Sequence, residues 1–102
     1  MSTFSLQALK RALRVEHDAD DTLLQELLDD AESEALQYLD QTDFPVEDAE
    51  DESPPERVPG AIRRAVFLLV SSFYEEADAA KLADYRKRAE MMLFPFRTKL
   101  GV

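Results

Sequence analysis

The 102-residue chain has no cysteine, no tryptophan, one histidine and two glycines. Without cysteine there are no disulfides and no thiolate metal sites, which fits a reducing compartment. With His17 as the sole histidine, no imidazole cluster can hold a metal. Gly60 and Gly101 are too few and too far apart for a glycine-rich phosphate loop. The longest apolar run, residues 65–70, is six residues long, against the roughly 20 that a membrane-spanning helix needs. No basic stretch followed by an apolar one opens the chain, so no secretory signal is expected. The protein is expected to be soluble, made in the cytoplasm, and without a membrane partner.

One further absence is informative. Between Arg14 and Arg57 there is neither lysine nor arginine, and that stretch holds seventeen of the 22 acids. The first fourteen residues carry +3 through Lys10, Arg11 and Arg14, and from Arg57 onward nine bases oppose five acids. The net charge is −10. Segregation of this kind lets one face repel phosphate while another attracts acidic protein surface.

What is present is an ordinary share of apolar residues, 45%, too high for a wholly disordered chain. The length gives one domain, residues 1–102, with one modest core that oligomerisation would enlarge. The patterning predicts an all-α fold, a small bundle of about four helices. No alternating apolar–polar run marks a strand.

The first helix is expected to start after Ser5, a good N-cap, with Phe4 and Leu9 at the spacing of a hydrophobic staple. Leu6, Leu9 and Leu13 share its inner face, and Lys10, Arg11 and Arg14 crowd its last turn. The second helix is expected over residues 20–39. Asp18, Asp20 and Asp21 cap its start, and Leu24, Leu27, Leu28, Ala31, Ala35, Tyr38 and Leu39 face inward. Its other face carries Glu26, Asp29, Asp30, Glu32 and Glu34 with no base within the helix to pair them, a negative outer surface.

Residues 40–58 hold Pro45, Pro54 and Pro55 and a dense run of acids, the pattern of an extended, mobile acidic loop. The third helix is expected from about Pro59, burying Ile62, Ala65, Val66, Leu69, Val70 and Phe73. Phe67, Leu68 and Tyr74 widen its apolar surface, and with Arg63 and Arg64 they are candidates for a subunit interface. A fourth helix is expected over residues 84–93. Pro95 ends it, and Phe94 before that proline is expected outside the helical region. Residues 94–102 form an extended C-terminal arm.

No catalytic signature occurs, and no catalytic, cofactor-binding or metal-binding residue is assigned. His17 reads as a surface residue near a helix start. The Asp18-Ala19-Asp20-Asp21 cluster lacks the glycine and terminal glutamate of a calcium loop, so capping explains it better. Lys81, Arg86, Lys87, Arg88, Arg97 and Lys99 are the only basic candidates for phosphate contact, and protein contact suits them better. The segment Met91-Met92-Leu93-Phe94-Pro95-Phe96-Arg97 is either an arm folded back on the core or an anchor for a partner's pocket, where aromatics and arginine dominate binding energy.

Taken in order, four segments resemble the small head–tail connector, or adaptor, proteins of tailed bacteriophages, often described as DNA-packaging or head-completion proteins. They are Phe4-Ser5-Leu6-Gln7-Ala8-Leu9-Lys10-Arg11-Ala12-Leu13-Arg14-Val15, then Asp20-Asp21-Thr22-Leu23-Leu24 running through Ala31 to Tyr38-Leu39. Next come Val58-Pro59-Gly60-Ala61-Ile62 with Leu68-Leu69-Val70 and Phe73-Tyr74-Glu75, and last Met92-Leu93-Phe94-Pro95-Phe96-Arg97. The resemblance spans nearly the whole chain. The acidic residues 47–56 are longer and more negative than that family leads one to expect.

The resemblance implies an all-helical protomer that assembles as a ring, typically twelvefold, beneath the portal in the virion. Such a ring extends the DNA channel and offers a platform for a stopper or tail-completion protein. It makes Phe94, Pro95, Phe96, Arg97 and Lys99 portal-anchor candidates. Glu47, Asp48, Glu50, Asp51 and Glu52 become acids that line the channel or face a partner, letting DNA pass without specific binding. Basic ends and an acidic middle also suit head-to-tail pairing between copies. Two other readings fit the composition: an acidic DNA-mimic inhibitor and a free helical protein-interaction module.

Overall fold

A computed structural model describes residues 3–46, 58–75 and 78–97. Among these residues the chain forms four α-helices: α1 (Leu6–Leu13), α2 (Asp21–Leu39), α3 (Gly60–Tyr74) and α4 (Ala79–Leu93). A 3-10 turn, Phe94–Phe96, follows α4. The fold is all-α, as the apolar periodicity predicts. Its principal extents of 39 × 36 × 18 Å describe a slab about two helices thick, since packed helix axes lie about 8–10 Å apart.

The start of α1 follows its local sequence. Ser5 is extended (φ −84°, ψ 149°), and its Oγ accepts a hydrogen bond from the Ala8 N–H at 3.0 Å. Phe4 and Leu9 flank this cap and are both buried, as a staple requires. The helix stops at Arg14, which adopts the left-handed conformation (φ 59°, ψ 38°). The Arg14 N–H bonds to the Arg11 carbonyl and the Val15 N–H to the Lys10 carbonyl, so two otherwise orphaned carbonyls are satisfied. Asp40 ends α2 in the same way (φ 58°, ψ 45°).

Helix α3 is the hub and touches α1, α2 and α4. Ile62, Ala65, Val66 and Val70 are fully buried on it and Leu69 nearly so. Facing them are Leu24, Leu28, Ala31, Ala35 and Leu39 of α2, Leu9 of α1, and Ala89 and Leu93 of α4. Ser72 is also buried and donates its hydroxyl to the Leu69 carbonyl at 2.7 Å, so its hydroxyl is satisfied inside the core. An aromatic cluster closes one edge of the core. Phe4 lies 5.6 Å from Phe44 and 5.9 Å, edge-on, from Phe67.

The structure departs from the sequence reading at several points. Phe73, expected in the buried stripe of α3, is 39% exposed, and the Arg86 guanidinium lies over its ring at 5.7 Å. One residue from its helix end, it exchanges core burial for a cation–π contact. Helix α4 starts at Ala79, five residues before the expected position. Asp78 caps it, Oδ1 accepting from the Lys81 N–H at 2.9 Å.

Phe94 remains helical (φ −50°, ψ −45°) despite the following proline, because the chain tightens into a 3-10 turn instead of leaving the helix. Asp20 holds the N-cap position of α2 without capping it through its side chain; its Oδ2 accepts instead from the Tyr74 hydroxyl at 2.7 Å. Within the span 40–58 expected to form an acidic loop, Phe44 and Val58 are buried in the core. Residues 47–57, with the acids expected there to be mobile, lie outside the described residues.

Candidate interaction surfaces

Several charges that the sequence suggests for the surface are spent inside the protomer. Lys10 is 6% exposed, and its Nζ lies 2.8 Å from both Asp18 Oδ1 and Asp21 Oδ1. The hydrogen bond to Asp18, then that to Asp21, raises the Lys10 pKa, and the same lysine lowers that of Asp18. Asp18, before α2, and Asp21, its first residue, thus tie α1 to the start of α2.

Glu32, read from the sequence as an outer-face acid, is 6% exposed. Its Oε1 accepts from the Thr3 N–H at 2.7 Å and its Oε2 from the Phe4 N–H at 3.0 Å, clamping the start of the chain against α2. Glu34 takes both Arg86 Nη2 (3.0 Å) and Nε (3.3 Å) in a two-pronged pair between α2 and α4. That pairing raises the Arg86 pKa further and takes Arg86 out of the basic cluster. Arg88 pairs with Asp84 at 3.1 Å. Tyr85 donates its hydroxyl to Glu75 at 2.7 Å, which raises the tyrosine pKa.

The portal-anchor candidates divide into two groups. Phe96 is half-buried against the core, and its carbonyl accepts from Gln41 Nε2 at 2.7 Å. The Arg97 guanidinium lies over the Tyr38 ring at 4.9 Å. These two residues fold the chain end onto α2. Phe94 is 51% exposed and Pro95 is exposed too. Met91, which no residue-type pattern in the sequence marks, is 67% exposed and stands one helical turn from Phe94. Lys99 lies outside the described residues, as do Glu47, Asp48, Glu50, Asp51 and Glu52.

The subunit-interface candidates also separate. Phe67 is buried with an edge toward solvent, and Leu68 is half-buried. Tyr74 is half-buried with its hydroxyl held by Asp20, a bond that raises its pKa. Arg63 and Arg64 are exposed. Together with Arg11 of α1 they line a cleft of about 350 Å³ whose remaining lining is Ala8, Ala12 and Phe67.

An open cleft of about 290 Å³ on α2 is lined by Thr3, Asp29, Glu32, Ser33, Leu36, Thr42, Asp43 and Phe44. Among the described residues no group of three or more His, Asp or Glu side chains is arranged to hold a metal ion. Nor is any described helix long and apolar enough to cross a membrane. His17 is exposed. The described residues present three surfaces: a triple-arginine cleft, an apolar pair at the end of α4, and acids along α2.

Searches of curated proteins and of solved structures return no match. A family model describing phage gp6-like head-tail connector proteins matches residues 3–97, which takes in all four helices and the 3-10 turn. The chain belongs to the phage gp6-like head-tail connector proteins.

Proposed function

We propose that this connector works by assembly: copies form a ring, twelvefold as the family resemblance implies, beneath the portal. The ring extends the DNA channel and gives a stopper or tail-completion protein its platform. The coarser role, a structural phage connector and hence a virion component, comes with the family. Assembly would take place in the bacterial host cytoplasm. The observation that carries the finer reading is the exposed apolar pair Met91 and Phe94 at the end of α4. It lies within the family match, on a turn that Phe96 and Arg97 hold against α2. An apolar pair on a braced support loses little conformational entropy when it enters a partner's pocket.

Native mass spectrometry of the purified protein, alone and mixed with the portal protein of the same genome, tests this. Oligomeric rings, or a portal complex carrying many copies, are expected. A chain that stays monomeric and also ignores the portal would end the ring reading and favour an acidic DNA mimic.

A further inference from the structure

The carboxylates of α2 and the arginines of α1 and α3 are unequally used within the protomer. Lys10, Arg86 and Arg88 each have a carboxylate partner. Arg11, Arg63 and Arg64 have none among the described residues, although the chain carries 22 acids. All three line one cleft between α1 and α3, and no acid lines it with them. Three like charges gathered without a counter-charge repel one another, so an acidic occupant would relieve a cost already present in the isolated chain. The rest of the cleft lining is apolar: Ala8, Ala12 and Phe67. An occupant with an apolar side chain next to its carboxylates therefore fits better than a bare phosphate strand.

The chain itself carries such a surface. On the outside of α2, Leu23, Glu26, Asp30, Ser33 and Gln37 recur every three or four residues and all are exposed. Leu23 is 46% exposed. Glu26 and Asp30 have no partner among the described residues and, one turn apart, stand about 6 Å apart along the helix. No base occurs between Arg14 and Arg57 to neutralise this stripe from within the same segment. The stripe and the cleft share no residue. A contact between them joins two different patches, a head-to-tail arrangement of the kind that generates rings when its rotation closes.

We infer that the Arg11–Arg63–Arg64 cleft receives the Leu23–Glu26–Asp30 stripe of a second copy of this chain. Leu23 then lies toward Ala8, Ala12 and Phe67 while Glu26 and Asp30 meet the arginines. This rests on the ring reading and specifies the chemistry of its subunit contact. Two copies of net charge −10 repel at long range, so the contact depends on short-range pairs that survive when the wider field is screened within a Debye length.

The test uses two full-length variants, Arg63→Glu/Arg64→Glu and Glu26→Lys/Asp30→Lys. All four positions are exposed, and helicity by circular dichroism checks that both variants fold. Self-association is followed by native mass spectrometry and sedimentation, alone and on the portal. Each variant is expected to need about tenfold or more protein to assemble. An equimolar mixture is expected to recover assemblies of alternating composition, because each variant's altered patch complements the other's. Folded variants that assemble like wild type, or a mixture that fails to recover, would overturn the contact and leave the ring intact. Unchanged assembly with lost DNA retention in Arg63→Glu/Arg64→Glu would give the cleft to nucleic acid. Wild-type protein that never assembles, even with portal, would remove the ring reading and this contact with it.

Discussion

At the scale of single residues, Glu32 shows what an acid withdrawn from solvent does for the fold. Glu32 accepts two backbone N–H groups, from Thr3 and Phe4, and so seats Phe4 in the aromatic cluster with Phe44 and Phe67. Glu32→Ala strands both donors near the core. It is expected to lower stability by about 1–3 kcal/mol in chemical denaturation, whereas exposed Glu26→Ala is expected to change it by less than about 0.5 kcal/mol. The Lys10–Asp18 pair carries a pH signature. Because Lys10 depresses the Asp18 pKa, that pairing stabilises the fold fully above the unfolded value near 3.9 and is lost as pH falls through the folded value. Because Asp18 and Asp21 raise the Lys10 pKa, the same pairing persists until pH rises past about 10.4. The melting-temperature gap between wild type and Asp18→Asn should therefore hold steady from about pH 5 to 9 and shrink by about pH 3.

At the scale of elements, helix ends decide what is legible in the sequence. Ser5, Phe4 and Leu9 announced the start of α1, because a cap and a staple are local devices that act within one turn. The cores of α2 and α3 followed from period, except at Phe73 near the end of α3. The start of α4 was missed because Asp78 was not weighed as a cap. The fates of Glu32, Glu34 and Asp20 depend on residues 28, 52 and 54 positions away, and no local pattern contains that. The pairing of Arg11 with Arg63 and Arg64 in one cleft was hidden for the same reason, although Arg63 and Arg64 were marked for an interface. The end of α1 offers a direct check on helix-end physics. Arg14 occupies a left-handed conformation (φ 59°) that glycine adopts without strain. Arg14→Gly is expected to raise stability by about 0.5–1 kcal/mol, read as an increase in denaturation midpoint.

At the scale of the whole molecule, net charge and exposed apolar area point to separate duties. Glu47, Asp48, Glu50, Asp51 and Glu52 bring five negative charges within six residues, and a channel wall of that sign would keep DNA from adhering. Changing all five to the neutral amides is expected to increase non-specific DNA retention at low salt, and retention equal to wild type would remove these acids from the channel. The apolar end of α4 separates docking from folding. Met91 and Phe94 are 67% and 51% exposed, so Met91→Ser/Phe94→Ser removes little buried surface and should leave stability within about 0.5 kcal/mol. Phe96 packs against the core, and Phe96→Ala should destabilise the protein measurably. If Met91 and Phe94 are the anchor, their double variant keeps its fold and its self-association while losing copies from the portal complex in native mass spectrometry. If the portal instead reads Phe96 and Arg97, that variant binds like wild type. The anchor would then have to leave its place against Gln41 and Tyr38, and portal binding would release the Gln41–Phe96 bond. Amide exchange across residues 38–41, measured with and without portal, separates the two arrangements: protection is kept when α4 docks through its exposed pair, and lost when the chain end peels away.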